Sequence, residues 1–255
     1  IAGSDSCGGA GIQADIKTMT ALGVYASCCI CAITAQNTTG VQGILEVEED
    51  FVRRQLDSVF EDIFPDAVKI GMLSNSKIIE AVSDRLSYYD AKNVVVDPVM
   101  ISTSGHKLME DEAITTLQKH LLKEGIVTTP NIPEAEVLSD TKILTSEDMV
   151  NAAKIIHDRF GCIVLIKGGH GIEDTARDYL YGDKISRWYE SKRIETDNTH
   201  GTGCTLSSAI ASGLAKGESI ETSVSHAKDY IQGALEALLN LGKGNGPIDH
   251  MWNMH

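Results

Sequence analysis

The sequence is short of positive charge. Lys and Arg number 22 against 36 Asp and Glu, a formal net charge of −14. Such a field repels nucleic acid and anionic lipid, so neither a nucleic acid nor a membrane is expected as a partner. It repels nucleotide phosphates as well, so any phosphate site has to be built locally. No apolar stretch approaches the ~18 residues of a membrane span, and no secretory leader is recognisable. The expected location is cytoplasmic. Neither a G-x-x-x-x-G-K-[ST] P-loop nor a G-x-S-x-G hydrolase elbow occurs. Gly9-Ala10-Gly11-Ile12-Gln13-Ala14 formally matches the dinucleotide fingerprint G-x-G-x-x-G/A. That fingerprint needs an acidic residue about 20 positions on to hold a ribose. None stands between Ile16 and Leu45, which argues against a nicotinamide enzyme. His106, His120, His157, His226, His250 and His255 show no metal-ligand spacing and read as surface or packing residues. His170 and His200 flank glycine turns, where contact with a ligand is open to them.

What is present is ordinary for a folded chain of 255 residues, with 42% hydrophobic and 23% charged residues. Of the six cysteines, Cys7, Cys28, Cys29, Cys31, Cys162 and Cys204, three fall in the apolar run Val24–Thr34. Buried free thiols in a reducing compartment explain them better than disulfides or zinc. Ile1-Ala2-Gly3 reads as the end of a strand, with a few residues expected upstream. Strand-like runs follow at Tyr25–Thr34, Ala67–Ile70, Asn93–Val96, Ile126–Thr128 and Cys162–Ile166. Helical patterns lie between them at Gly11–Leu22, Asp50–Ile63, Lys77–Tyr89, Asp111–Lys123 and Glu147–Phe160, the last opened by the cap signature Thr145-Ser-Glu-Asp148. Continuous apolar strands alternating with helices predict a three-layer α/β/α fold, with a mainly parallel central sheet and helices on both faces. Ala176–Ile194, around Gly182-Asp183, predicts an antiparallel hairpin. Two helices, Cys204–Ala215 and Ile220–Leu241, and the glycine-rich Gly242–Pro247 complete the chain. No linker or repeat is evident, so residues 1–255 are expected to form one domain.

In such sheets ligands bind beyond the carboxyl ends of the strands, and the unusual polar residues fall there. The runs end in Ala35-Gln36-Asn37, Gly71-Met72, Asp97-Pro98-Val99-Met100, Thr129-Pro130-Asn131 and Lys167-Gly168-Gly169-His170. Asp97 reads either as the start of an Asp-Pro turn or as a magnesium carboxylate, with Glu134 as a second oxygen donor. Asn131 reads as a helix cap or a ligand contact, and Lys167 as a solvated lysine or a phosphate partner. Asp15 lies on the apolar stripe of its helix, among Ile12, Ile16, Met19 and Leu22. A carboxylate there needs a partner, either internal or a ligand. Asn198-Thr-His-Gly-Thr-Gly-Cys204 leads into a helix. Unpaired amides and the helix dipole favour an anion at such a start, with a thiol beside it. A glycine loop at a helix start, a lysine, several carboxylates and a cysteine suit phosphoryl transfer from Mg-ATP, which needs positioning and charge neutralisation more than covalent chemistry.

"AGSDSCGGAGIQAD", "AITAQNTTGVQ", "KIGML", "VVVDPVM", "TPNIPEAE", "IKGGH" and "NTHGTGCTLSSAIA" together resemble the hydroxymethylpyrimidine and hydroxymethylpyrimidine-phosphate kinases of thiamine biosynthesis, in the ribokinase-like superfamily. The resemblance implies transfer of the ATP γ-phosphate to 4-amino-5-hydroxymethyl-2-methylpyrimidine, then to its monophosphate, by a homodimer using Mg2+. It implies a pyrimidine pocket at Gly3, Asp15, Gln36, Met72, Val99 and Cys204. Magnesium is implied at Asp97 and Glu134, and ATP at Asn131, Lys167, Gly168, Gly169, Thr199 and Gly203. Gly201, Thr202 and Gly203 would form the anion hole, with Cys204 placed where sugar kinases of the superfamily carry an aspartate base. A helix start is expected to depress that thiol's pKa. Many relatives carry Pro-Ser at Ser6-Cys7, and some carry Glu at Gln36. Cys28, Cys29 and Cys31 match no motif and are assigned to the core. The rival readings are a pyridoxal kinase of the same superfamily and a pyrimidine-binding sensor without catalysis.

Overall fold

The computed structural model describes residues 1–100, 109–169 and 175–254, apart from the side chain of residue 175. Helix α1 (Gly11–Ala21) precedes a hairpin of β1 (Ala32–Asn37) and β2 (Gly40–Glu46). Then follow α2 (Glu49–Phe60), β3 (Val68–Ile70), α3 (Ser76–Tyr88) and β4 (Val94–Val96). Next come α4 (Asp111–Thr116), β5 (Val127–Thr128), α5 (Ile132–Ser139), α6 (Ser146–Phe160) and β6 (Ile163–Lys167). The hairpin β7 (Thr175–Gly182) and β8 (Ile185–Lys192) leads to α7 (Thr202–Ala215) and α8 (Ile220–Glu236). The main sheet has the order β3-β4-β5-β6-β7-β8, parallel through β6 and antiparallel beyond it.

Alternation along the central strands explains the two helical layers. Val94, Val96, Val164 and Ile166 face a core shared with Val52, Leu56, Ile78, Leu138 and Ile156 from α2, α3, α5 and α6. Val95 and Leu165 face the opposite way, against Leu206, Ile210, Val224 and Tyr230 of α7 and α8. Strands covered on both faces carry no polar side, hence the continuous apolar runs. Ile1 exchanges hydrogen bonds with β3, accepting from Gly71 N at 2.9 Å and donating to the Lys69 carbonyl at 2.8 Å. The opening residues therefore do run as a strand, bonded on its other side to Cys29 and Cys31.

Four expectations change. The first strand does not begin at Tyr25, which is 79% exposed. The Gln55 amide instead clamps the backbone of Ile30, accepting its N–H at 2.9 Å and donating to its carbonyl at 3.0 Å. A side chain thus takes the bonds a ladder would have used. Cys28 and Cys31 have C-x-x-C spacing, yet Cys28 is exposed, whereas Cys29 and Cys31 are buried as expected. The expected helix Asp111–Lys123 is α4 followed by a π-helical turn, Leu117–Leu121. The last long helix stops at Glu236, and Leu238 and Asn240 turn left-handed at φ 47° and 49°.

Candidate functional site

Strand β4 delivers Asp97, which is 2% exposed. Its Oδ1 accepts from Thr129 Oγ1 and from Lys167 Nζ, both at 2.9 Å. Lys167 ends β6 and is tied to the end of β5, donating its N–H to the Pro130 carbonyl at 2.8 Å. Asn131 caps α5 with Glu134 in a reciprocal box. Its Oδ1 accepts from Glu134 N at 2.9 Å, and Glu134 Oε2 accepts from Asn131 N at 2.8 Å. Met100 N reaches Glu134 Oε1 at 3.4 Å. Burial pushes the Glu134 carboxyl up to about 7, with Asp97 adding to the rise and Lys167 opposing it. Burial also opposes ionisation of Asp97, but Lys167 and Lys69 more than offset it and hold its pKa below the usual value. Lys167 is neither solvated nor free, because its side chain is 17% exposed and engaged with Asp97.

The turn before α7 closes onto this pair. Gly201 sits at φ 87°, and a β-carbon there would overlap the Gly9 carbonyl oxygen. Only glycine satisfies both demands. Thr202 donates its N–H and its hydroxyl to the Thr199 carbonyl at 3.3 and 3.1 Å. A β-carbon on Gly203 would lie 3.4 Å from Lys167 Nζ and 3.5 Å from Asp97 Oδ2. The helix start, with amides that lack intrahelical acceptors, therefore stands against an ammonium. Cys204 corrects an expectation. Burial pushes its thiol up, Asp15 and Asp97 add to the rise, and Lys69 with a hydrogen bond from the Gly11 backbone only partly offsets it. Desolvation outweighs the helix start, so the resting side chain is a thiol.

A β-carbon at Gly3 would fall 2.6 Å from Met72 Cε, which places these two side by side. Asp15, 5% exposed, has an internal partner: Lys69 Nζ meets its two oxygens at 2.7 and 2.8 Å, and Ser208 Oγ donates to Oδ1 at 2.7 Å. The Gln36 amide is held loosely, with Thr34 Oγ1 at 3.3 Å from Oε1 and His200 Nε2 at 3.4 Å from Nε2. Val99 follows Asp97 in a tight turn, its N–H on the Asp97 carbonyl at 2.8 Å. Gly168 donates its N–H to Asp178 Oδ1 at 2.9 Å, while a β-carbon on Gly169 would meet nothing within 4 Å. His170 and His106 lie outside the described residues, as does His255.

Lys69, Asp5 and Asp178 escaped the sequence reading. Lys69 is 3% exposed inside an apolar run, a position that itself demands a counter-charge. Burial would lower its pKa, but Asp15 and Asp97 more than offset that and hold it above the usual range. The Asp5 carboxylate gathers the amides of Cys7, Gly9 and Ala10. Asp178 joins Gly168 to buried Lys228 at 2.6 Å. The glycine tail also belongs here: Lys243 and Gly244 donate to Thr38 Oγ1 at 3.1 and 3.2 Å, and Gly246 accepts from His200 N at 3.0 Å.

A family model described as phosphomethylpyrimidine kinase matches residues 5–249. The chain belongs to the phosphomethylpyrimidine kinase family. The hydroxymethylpyrimidine/phosphomethylpyrimidine kinase of Rhizobium meliloti is 47% identical over 254 residues, covering 98% of this chain and 95% of that protein. Among solved structures, a phosphomethylpyrimidine kinase from Clostridium difficile matches with TM-score 0.82 and 45% identity, over 91% of this chain and 96% of that one. An ADP complex of Bacillus subtilis pyridoxal kinase matches with TM-score 0.92 and 36% identity, over 99% and 96%.

Proposed function

We propose that this chain, acting over 1–255 as one catalytic unit, transfers the γ-phosphoryl group of ATP to the hydroxymethyl oxygen of 4-amino-5-hydroxymethyl-2-methylpyrimidine, and then phosphorylates the monophosphate to the pyrophosphate for thiamine biosynthesis. The carrying observation is the Gly201–Gly203 turn packed on the Lys167–Asp97 pair, with Cys204 next in the chain. Phosphoryl transfer passes through a loose transition state, so backbone amides and a fixed ammonium supply most of what is needed. Nucleotide phosphates would lie along Asn131, Lys167, Gly168, Gly169 and Thr199, under the α7 start.

Magnesium fits the donor set. Asp97 and Glu134 are hard oxygen donors that already hold protein hydrogen bonds, which suits an ion that keeps several of its waters. The raised pKa of Glu134 marks a carboxylate short of compensating charge, which a divalent cation would supply. When bound, the ion neutralises charge on the transferred group.

On the acceptor side, Gln36 offers an amide oxygen and an NH2 that complement the aminopyrimidine edge in two bonds. Gly3 and Met72, packed side by side, would border the ring, with Val99 at the strand end. Asp15 shapes the pocket through Lys69. Pyridoxal lacks the amino-pyrimidine edge, which makes it the poorer acceptor. A homodimer is the expected assembly, and Ile33, Ile44 and Leu45 on the β1–β2 hairpin, at 50%, 45% and 66% exposure, give a second copy an apolar face. The test is an acceptor screen by specificity constant, with and without magnesium. A clear preference for pyridoxal would refute the substrate assignment, and acceptor-stimulated ADP release is expected to vanish without the ion.

A further inference from the structure

Asp5, Cys7 and His200 bring a carboxylate oxygen, a thiol sulfur and an imidazole nitrogen to within 4.8 Å of one another. The donors come from two turns far apart in sequence, one before α1 and one before α7. Both turns are fixed. Asp5 Oδ2 lies 2.8 Å from His200 Nε2 and accepts from Gly9 and Ala10 N at 3.1 and 2.8 Å, while Oδ1 accepts from Cys7 N at 2.9 Å. The His200 N–H is pinned to the Gly246 carbonyl at 3.0 Å. Asp5 and His200 are 2% and 8% exposed, whereas Cys7 is half-buried, so the cluster opens to solvent on the sulfur side. Burial works against the Asp5 charge, but His200 and the amides outweigh it and keep the carboxyl below its usual pKa.

An oxygen, a nitrogen and a sulfur donor make a mixed set that suits zinc and is foreign to magnesium. Tetrahedral zinc holds such donors about 3–4 Å apart, so the cluster needs only a local contraction around the ion. We propose that Asp5, Cys7 and His200 Nε2 form a binding site for zinc or a similar thiophilic divalent cation, separate from the magnesium region, and that its occupation competes with the pyrimidine acceptor. On binding, the Cys7 thiol releases its proton to solvent and the imidazole carries its own on Nδ1, which frees the Nε2 lone pair. Water completes the coordination. The competition arises because the same Nε2 lies 3.4 Å from the Gln36 amide, which the metal would draw away from the acceptor edge. That second part rests on the pyrimidine reading of Gln36, whereas the metal site does not.

The test is a Co2+ titration followed by absorption, with Zn2+ affinity measured against a chromophoric chelator. The wild-type chain is expected to develop a near-ultraviolet sulfur-to-cobalt charge-transfer band. Cys7→Ser should lose it while keeping the wild-type circular dichroism. Zn2+ affinity should fall at least about 10-fold in that variant, since even outer partners of ligands cost that much. No band in the wild type, or the same band in Cys7→Ser, overturns the site. If zinc binds but leaves the KM for the pyrimidine unchanged, the competition is overturned and the metal site stands.

Discussion

Cys204 is held as a thiol by burial, with Asp15 and Asp97 near it and Lys69 in partial opposition. To take the hydroxyl proton Cys204 must first lose its own to solvent, and the loose transition state asks little of a base. Cys204→Ala is accordingly expected to lower kcat by about 100-fold or more, the ordinary worth of a positioned acid or base, with little change in ATP affinity. Steady-state kinetics alongside nucleotide binding separates the two, and near-normal turnover would leave catalysis to the glycine turn. Glu134 carries the second residue-scale expectation. Its folded pKa of about 7 stands above its ordinary value, so the folded chain holds a proton that the unfolded chain has lost. Its contribution is complete at acid pH and declines by about 3 kcal/mol as pH rises through 7. Urea unfolding without magnesium should therefore show Glu134→Gln gaining stability relative to wild type between pH 5 and pH 8. Parallel profiles would contradict the shift.

Among the elements, the α7 start depends on one backbone conformation. Gly201→Ala must tolerate both φ 87° and a collision with the Gly9 carbonyl. We expect a loss of about 3 kcal/mol or more in unfolding free energy, together with weakened nucleotide binding as the turn shifts. The Lys69–Asp15–Ser208 group ties β3, α1 and α7 together. Removing one partner strands a buried charge, so Lys69→Met should cost about 3–5 kcal/mol, and Lys69→Met combined with Asp15→Asn should cost less than the sum of its parts, as denaturation would show. These elements differ in how far the sequence revealed them. The three layers were legible because Val94–Val96 and Ile163–Ile166 are apolar on both faces, and the Thr145 cap appears as read, with Asp148 returning its bond. The β7–β8 hairpin was legible from its alternation around Gly182. The Lys69–Asp15 pair was not, because its partners stand 54 residues apart and meet only through packing. Nor was the start of the first strand, which Gln55 on α2 determines. At Cys204 the local rule about helix starts was sound, but burial, which needs the whole fold, decided the outcome.

At the scale of the molecule, a chain with net charge −14 has to admit an anionic nucleotide without a basic patch. Lys69 and Lys167 are both spent on carboxylates, and both keep raised pKa values. The field at the strand ends is thus a balanced array rather than a basic patch, and on the proposed reading magnesium would supply the charge that is lacking. The fold is shared with a pyridoxal kinase at TM-score 0.92, so architecture alone does not select the acceptor. The choice rests on the Gln36 edge and on family membership. Product identification by mass, over time, with ATP, Mg2+ and 4-amino-5-hydroxymethyl-2-methylpyrimidine, tests that claim most directly. The monophosphate is predicted to appear first and the pyrophosphate to follow at its expense. Formation of neither, with pyridoxal phosphorylated under the same conditions, would contradict it.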